Sequence, residues 1–265
     1  MAKSQYIFTS SQHSKELERL QAIEQVFDPA SQRRIQSTGI TESWRCLEVG
    51  AGAGSMTRWM AGAVGESGKV VAVDLDTRFI TGINQSNVEV LEADVRNLSL
   101  EDSFNLIHTR YVLIHIPDFQ VALTRLLKLL EPGGWLVLEE PDFSAARAIA
   151  GEKAACQSMN HVNQSILQMF ENRGMDYALG SKLPAILQEF GLQQLCVEND
   201  VPLSNGGSGV ATMMKMSALQ LAEKYTATGK ATEKDIEQYC LFADDERAWA
   251  IYYATVGVVA QKAAA

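Results

Sequence analysis

The chain has 265 residues, 46% of them hydrophobic and 21% charged, with a formal net charge of −9. That composition excludes disordered and fibrous classes and allows one large domain, or a domain with a sizeable cap. The acidic balance argues against a nucleic-acid partner, because phosphate backbones select basic surfaces.

The short Arg33–Arg34 cluster reads as a solvated helix face. Cys46, Cys156, Cys196 and Cys240 form no CxxC pair and read as reduced core residues. No signal-like apolar core opens the chain, and no apolar run reaches the ~20 residues that span a bilayer. The expectation is a soluble, cytoplasmic protein with no membrane partner.

Taken in chain order, apolar residues at helical spacing predict a helix over 15–27, and Asp28-Pro29 predicts the cap and first turn of a second short helix. Strands follow over 44–49, 69–74, 88–91 and 104–109, separated by helices over 55–64 and 77–84. A helix over 117–130 leads through Glu131-Pro132-Gly133-Gly134 into a strand over 135–139. This alternation predicts a doubly wound parallel sheet with helices on both faces.

Beyond Pro141 the spacing predicts a long helical stretch over 145–172, a helix over 183–190 and a strand over 194–198. Helices over 210–228 and 232–242 come next, then a closing strand over 248–259. The domain expectation is an N-terminal helical lid over 1–40 and one domain over 41–265, with cap segments at about 143–178 and 203–245.

The turn after the first strand, Leu47-Glu48-Val49-Gly50-Ala51-Gly52-Ala53-Gly54, carries glycines at alternate positions. A nicotinamide site asks for G-x-G-x-x-G/A, but here Ser55 stands where the third small residue belongs. A P-loop asks for Gly-Lys-Ser/Thr, which is absent. What remains is an acid followed by alternate glycines. Asp74 ends the second strand in Val70-Val71-Ala72-Val73-Asp74-Leu75-Asp76, where a carboxylate can accept from ribose hydroxyls, with Asp76 as a competitor. Asp94 follows the third strand; with the Val95 N–H it offers the acceptor and donor an adenine edge needs, or else it is a helix cap.

With these motifs the chain resembles the class I S-adenosylmethionine-dependent methyltransferases, of the ubiquinone/menaquinone and natural-product small-molecule types. The resemblance covers roughly residues 44–142 and includes Phe104–Asp118 and Leu130–Asp142. It implies a doubly wound, mostly parallel, seven-stranded Rossmann-like sheet with its last strand antiparallel, S-adenosyl-L-methionine as cofactor, S-adenosyl-L-homocysteine as product, no metal, and a small organic acceptor methylated at O, N or C. It further implies cofactor contacts from Glu48, Gly50, Ala51, Gly52, Gly54, Asp74, Leu75, Asp94, Val95, Thr109 and Arg110, and a mobile lid bringing Tyr6 to the cofactor.

His115 is the candidate general base, with a packing role as its alternative. Glu140, Asp142 and His161 are candidates for the acceptor pocket, and Met213, Met214 and Met216 for a pocket wall or for core. The oligomeric state, monomer or homodimer, stays open. The alternative function is a catalytically silent cofactor-binding relative acting as regulator or partner subunit. A nicotinamide oxidoreductase is disfavoured by the loop spacing.

Overall fold

The computed structural model describes residues 7–8 and 13–264. Its first half runs α1 (His13–Ser37), β1 (Arg45–Val49), α2 (Ser55–Val64), β2 (Lys69–Asp74), β3 (Val88–Glu92), β4 (Phe104–Arg110), α3 (Phe119–Leu129) and β5 (Leu130–Asp142). The second half runs β6 (Arg147–Ala150), α4 (Lys153–Glu171), α5 (Leu179–Glu189), β7 (Gln193–Asp200), β8 (Ser204–Asn205) and α6 (Gly209–Gln220), then α7 (Ala222–Thr226), α8 (Glu233–Asp244), β9 (Trp249–Ile251) and β10 (Ala254–Gln261). Two compact units result. One joins Phe27–Glu140, Lys182–Glu198 and Val256–Ala265; the other joins Met1–Val26, Pro141–Ser181 and Asn199–Thr255.

The first unit is built on a seven-stranded sheet ordered β3-β2-β1-β4-β5-β10-β7, mostly parallel with one antiparallel strand, as the resemblance implies. The order reverses direction between β1 and β4, which opens a ligand crevice at their carboxyl ends in folds of this kind. Register partners share a face, so Cys46 aligns with Leu106, Glu48 with His108, and Arg110 with Glu139. Low on this face Ile35, Cys46, Met56, Leu106, Val137 and Val259 pack into one apolar cluster. Burial of such a side chain stabilises by ~1.5–3 kcal/mol. Higher up, the same face turns ionic.

The second unit holds a three-stranded antiparallel sheet, β6-β9-β8, the start of α1, and helices α4, α6, α7 and α8. Helix α8 starts with a capping box: Thr232 Oγ1 accepts from the Asp235 N–H at 3.2 Å, and Asp235 Oδ2 accepts from the Thr232 N–H at 2.9 Å. Phe143 packs on Phe170 and Tyr253, with ring centroids 5.5 and 5.3 Å apart. Met213 and Met214 are buried.

Several local expectations change. Asp28-Pro29 does not start a new helix; Pro29 lies inside α1, where its missing N–H is tolerated because side chains of the following turns are anchored on the sheet. Residues 77–84 shorten to a 3-10 turn, Thr77–Phe79, since Gly82 and the β-branched neighbours support helix poorly. The stretch 145–152 is not helical, because Arg147–Ala150 pairs with β9. The apolar run 248–259 is two strands in two sheets, a break that an aperiodic run cannot signal. Residues 210–228 divide into α6 and α7. Cys196 is exposed rather than core.

Candidate functional site

The glycine turn is shaped by contacts that forbid side chains. Gly50, Gly52 and Gly54 all have left-handed backbones, with φ of 75°, 57° and 88°. A Cβ at Gly50 would lie 2.2 Å from Val112 Cγ2, and one at Gly54 would lie 2.9 Å from Ile80 Cγ2. The turn is stitched to β2 by the Gly50 N–H, which donates to the Val73 carbonyl at 2.7 Å. Gly54 is the N-cap of α2 and offers no side-chain acceptor, so the positive end of that helix is not neutralised by its cap.

Asp74 closes the other side of the turn. Its Oδ2 accepts from the Gly52 N–H at 2.9 Å and its Oδ1 from the Asp76 N–H at 3.0 Å. Burial raises its carboxyl above the ordinary value, partly offset by those N–H donors. Each carboxylate oxygen keeps a lone pair for a further donor. The competitor Asp76 is engaged elsewhere, paired with the Arg78 guanidinium at 2.7 and 2.5 Å. Leu75, between the two acids, is exposed.

Asp94 takes the cap role. It accepts from the Arg96 N–H at 2.9 Å and from the Arg96 guanidinium, whose charge holds the carboxyl below its usual value. Val95 is buried beside it. Thr109 is buried with no hydrogen-bond partner for its Oγ1. Arg110, expected beside the cofactor turn, instead directs its guanidinium to α1, donating to Asp28 at 2.9 Å and to Ser31 at 2.8 Å. Strand alternation explains this, since Arg110 shares the face of His108 and not that of Thr109.

The ionic network on that face escaped the sequence. Arg34, expected on a solvated helix face, is buried. It donates to Glu139 at 2.9 Å and pairs with Glu198 at 3.0 Å. In the strand order β10 separates the strands carrying these acids, and its Gly257 makes room: a Cβ there would lie 2.1 Å from Arg34 Nε. Glu139 also accepts from Ser31 Oγ at 3.0 Å and meets His108 Nε2 at 3.3 Å. Burial works against its charge, yet His108, Arg110 and Arg34 hold its carboxyl below the ordinary value.

His108 Nδ1 lies 3.8 Å from Glu48 Oε1, and Glu48 Oε2 accepts from Thr57 of α2 at 3.1 Å. Burial opposes the imidazolium, but the two carboxylates push His108 up to about 9. The only trace in the sequence is a His and an Arg two apart inside an apolar strand.

The acceptor candidates have separate roles in their own elements. His115 is half-buried at the end of a 3-10 turn, Leu113–His115. Glu140 holds that turn, accepting from the N–H groups of Val112, Leu113 and Ile114 at 3.1, 2.7 and 3.2 Å. Burial pushes its carboxyl up to about 8 despite these donors. Asp142 caps the turn Phe143–Ala145 by accepting from the Ser144 N–H and hydroxyl at 2.8 and 2.5 Å. His161 is half exposed and bonds Asp235 at 3.0 Å. Tyr6 lies outside the described residues.

A parallel sheet in this order, with a glycine turn after β1 and an acid ending β2, defines a Rossmann-like methyltransferase fold. Residues 13–197 match the family described as a methyltransferase domain, more than half of the chain, and the protein belongs to that family. A demethylmenaquinone methyltransferase of Staphylococcus aureus is 29% identical over 114 residues, 41% of this chain and 47% of that enzyme. The match thus spans about half the length of that relative. Methyltransferase str2 of Strobilurus tenacellus is 26% identical over 232 residues, 80% of this chain and 82% of its own. Among solved structures, phosphoethanolamine N-methyltransferase 2 of Haemonchus contortus, in complex with phosphomonomethylethanolamine and S-adenosylhomocysteine, shares the fold. Its TM-score is 0.62 at 16% identity, covering 99% of this chain and 61% of that one. No helix among the described residues is long and apolar enough to cross a membrane.

Proposed function

We propose that the protein transfers a methyl group from S-adenosylmethionine to a small organic acceptor at O, N or C by in-line displacement, in the cytoplasm and without a metal. One observation carries the reading: the glycine cradle beside Asp74, whose carboxylate has no cationic partner among the described residues. A cradle that a Cβ would fill, an N-terminus of α2 without a side-chain cap and an open acid suit a ligand with a carboxylate at one end and a ribose at the other. When bound, the cofactor supplies an electrophilic methyl on a sulfonium.

The chain's own residues bind, orient and exclude water. In this reading Gly50, Ala51, Gly52 and Gly54 present backbone to the amino acid end, with Glu48 behind them. Asp74 accepts from the ribose hydroxyls. Leu75, Asp94 and Val95 attend the adenine, and Thr109 lies at the end of β4. Arg110 acts at one remove, by seating α1 on the strand ends.

His115 takes the proton of a hydroxyl acceptor. Glu140 contributes by fixing the turn that carries it. In this reading Asp142 and His161 contact the acceptor. Alignment of the acceptor and exclusion of water supply most of what this kind of displacement needs.

Calorimetric titration with S-adenosylhomocysteine and, separately, with NAD tests the class. Micromolar binding of the first and none of the second is expected; the reverse would sink the reading. His115→Ala should lower turnover by at least ~100-fold with the cofactor affinity nearly intact, and equal turnover at matched pH would leave His115 a packing residue.

A further inference from the structure

His108 is fully buried at the centre of the ionic network, and its two ring nitrogens are held unequally. Nε2 lies 3.3 Å from Glu139 Oε1. Nδ1 lies 3.8 Å from Glu48 Oε1, inside ion-pair range but beyond a hydrogen bond, and it has no hydrogen-bond partner among the described residues. The ring can therefore lose its Nδ1 proton and keep its Nε2–H on Glu139, without turning. Glu48 is the acid that opens the glycine turn, and its other oxygen is committed to Thr57.

The charges around the ring are Glu48 from β1, Glu139 from β5, Arg110 from its own strand, Asp28 and Arg34 from α1, and Glu198 of β7, reached through Arg34. Helix α2 adds the uncharged Thr57, and β10 adds Gly257. Cys46 shares the face, and burial keeps its thiol neutral, up to about 12. Glu140 is on the opposite face, under the turn after β4. With His108 protonated, the carboxylates of Asp28, Glu48, Glu139 and Glu198 face Arg34, Arg110 and the imidazolium. An ammonium group arriving at Glu48 Oε1 would stand beside the Nδ1–H, and two positive charges sharing one carboxylate oxygen in a buried place repel strongly.

Resting on the donor-binding reading above, we propose that His108 is a positioning residue of the cofactor site, sharing Glu48 with the ammonium group of the methyl donor. Binding of the donor breaks the Nδ1–H bond and sends that proton to solvent, so one positive charge replaces another beside the same carboxylate. Burial then costs nothing extra, because the cluster's charge is unchanged. The consequence is reciprocal: raising the pH empties His108 and strengthens binding of the donor or its product.

The test is calorimetry with S-adenosylhomocysteine at pH 6.5, 7.5 and 8.5, in phosphate and in Tris buffer, for the wild type and His108→Gln. The wild type should bind more tightly as the pH rises from 6.5 to 8.5, by up to ~10-fold per pH unit, with a buffer-dependent enthalpy that reports proton release. The variant should bind with neither. The ligand's amine and Glu140 titrate alike in both proteins, so the difference isolates His108.

If the variant does not fold, nitrogen-15 histidine spectra of the wild type should show the His108 titration midpoint falling when S-adenosylhomocysteine is added. Binding with the same pH profile in both proteins, or an unmoved midpoint, overturns the role of His108 alone. Absence of binding by the wild type at every pH overturns the donor-binding reading and this inference with it.

Discussion

Asp74 and Glu139 are both carboxylates of the sheet unit, set near the carboxyl ends of β2 and β5, and their surroundings are opposite. Asp74 accepts backbone N–H groups and has no cation beside it among the described residues. Glu139 is fully buried and receives Arg34, Ser31 and His108, with Arg110 nearby. A buried charge that the protein has already neutralised is a fastening. A half-buried charge left without a counter-charge is costly on its own, and the proposed ligand would recover that cost.

The sharpest way to break this contrast is Arg34→Met. It strips Glu139 and Glu198 of a shared cation and should cost about 3–5 kcal/mol of stability, read as a lower urea midpoint at unchanged slope. A loss below about 1 kcal/mol would mean that the network is decorative. Gly257→Ala, which drives a methyl group into the same guanidinium, belongs to the same test and should cost ~1–3 kcal/mol.

Stability against pH is next in size. His108 stands at about 9 against an ordinary 6.5, so its contribution is whole below pH 6.5 and is lost as pH rises through 9. Glu140 stands at about 8 against 4.5, so its contribution is present below 4.5 and is lost as pH rises to 8. Both have raised folded values and act with the same sign. Urea midpoints should therefore fall from pH 6.5 to 9, both groups contributing up to about pH 8 and His108 alone beyond it. Glu139 and Asp94, held low, act only on the acid side, where stability is lost as pH falls. A flat profile between pH 6.5 and 9 would contradict the assigned charge states.

The smallest effect sharpens the other half. Asp74→Ala should weaken S-adenosylhomocysteine binding by ~1–3 kcal/mol, measured calorimetrically, while costing less stability than Arg34→Met. An unchanged dissociation constant would remove the ribose assignment and leave Asp74 as a brace for Gly52.

The sheet was legible because period-2 and aperiodic apolar segments alternate with helices up to Asp142. The glycine turn was legible because left-handed residues at close backbone contacts exclude side chains, and Gly50 against Val112 shows why. Asp74 was legible for a similar reason: a strand end with an acid can reach the adjacent turn. The later chain was read less well. The strand Arg147–Ala150 and the break at Tyr252–Tyr253 depend on pairing with distant partners, which leaves no local period. Pro29 looked like a helix start because local chemistry favours that, but anchoring of the following turns on the sheet overrode it.

By itself the sequence determined the layered sheet, the left-handed glycine turn and the acid beside it, because each depends on neighbours in the chain or on one strand-to-turn contact. Only the tertiary structure decided what Arg34, His108, Arg110 and Glu139 do. Their spacing resembles that of surface charges and stray core histidines. Their meaning comes from three strands in register and a helix laid across them, with Gly257 leaving the gap that lets one guanidinium reach two carboxylates. A buried charge is defined by what surrounds it, and those surroundings are assembled from residues over a hundred positions apart.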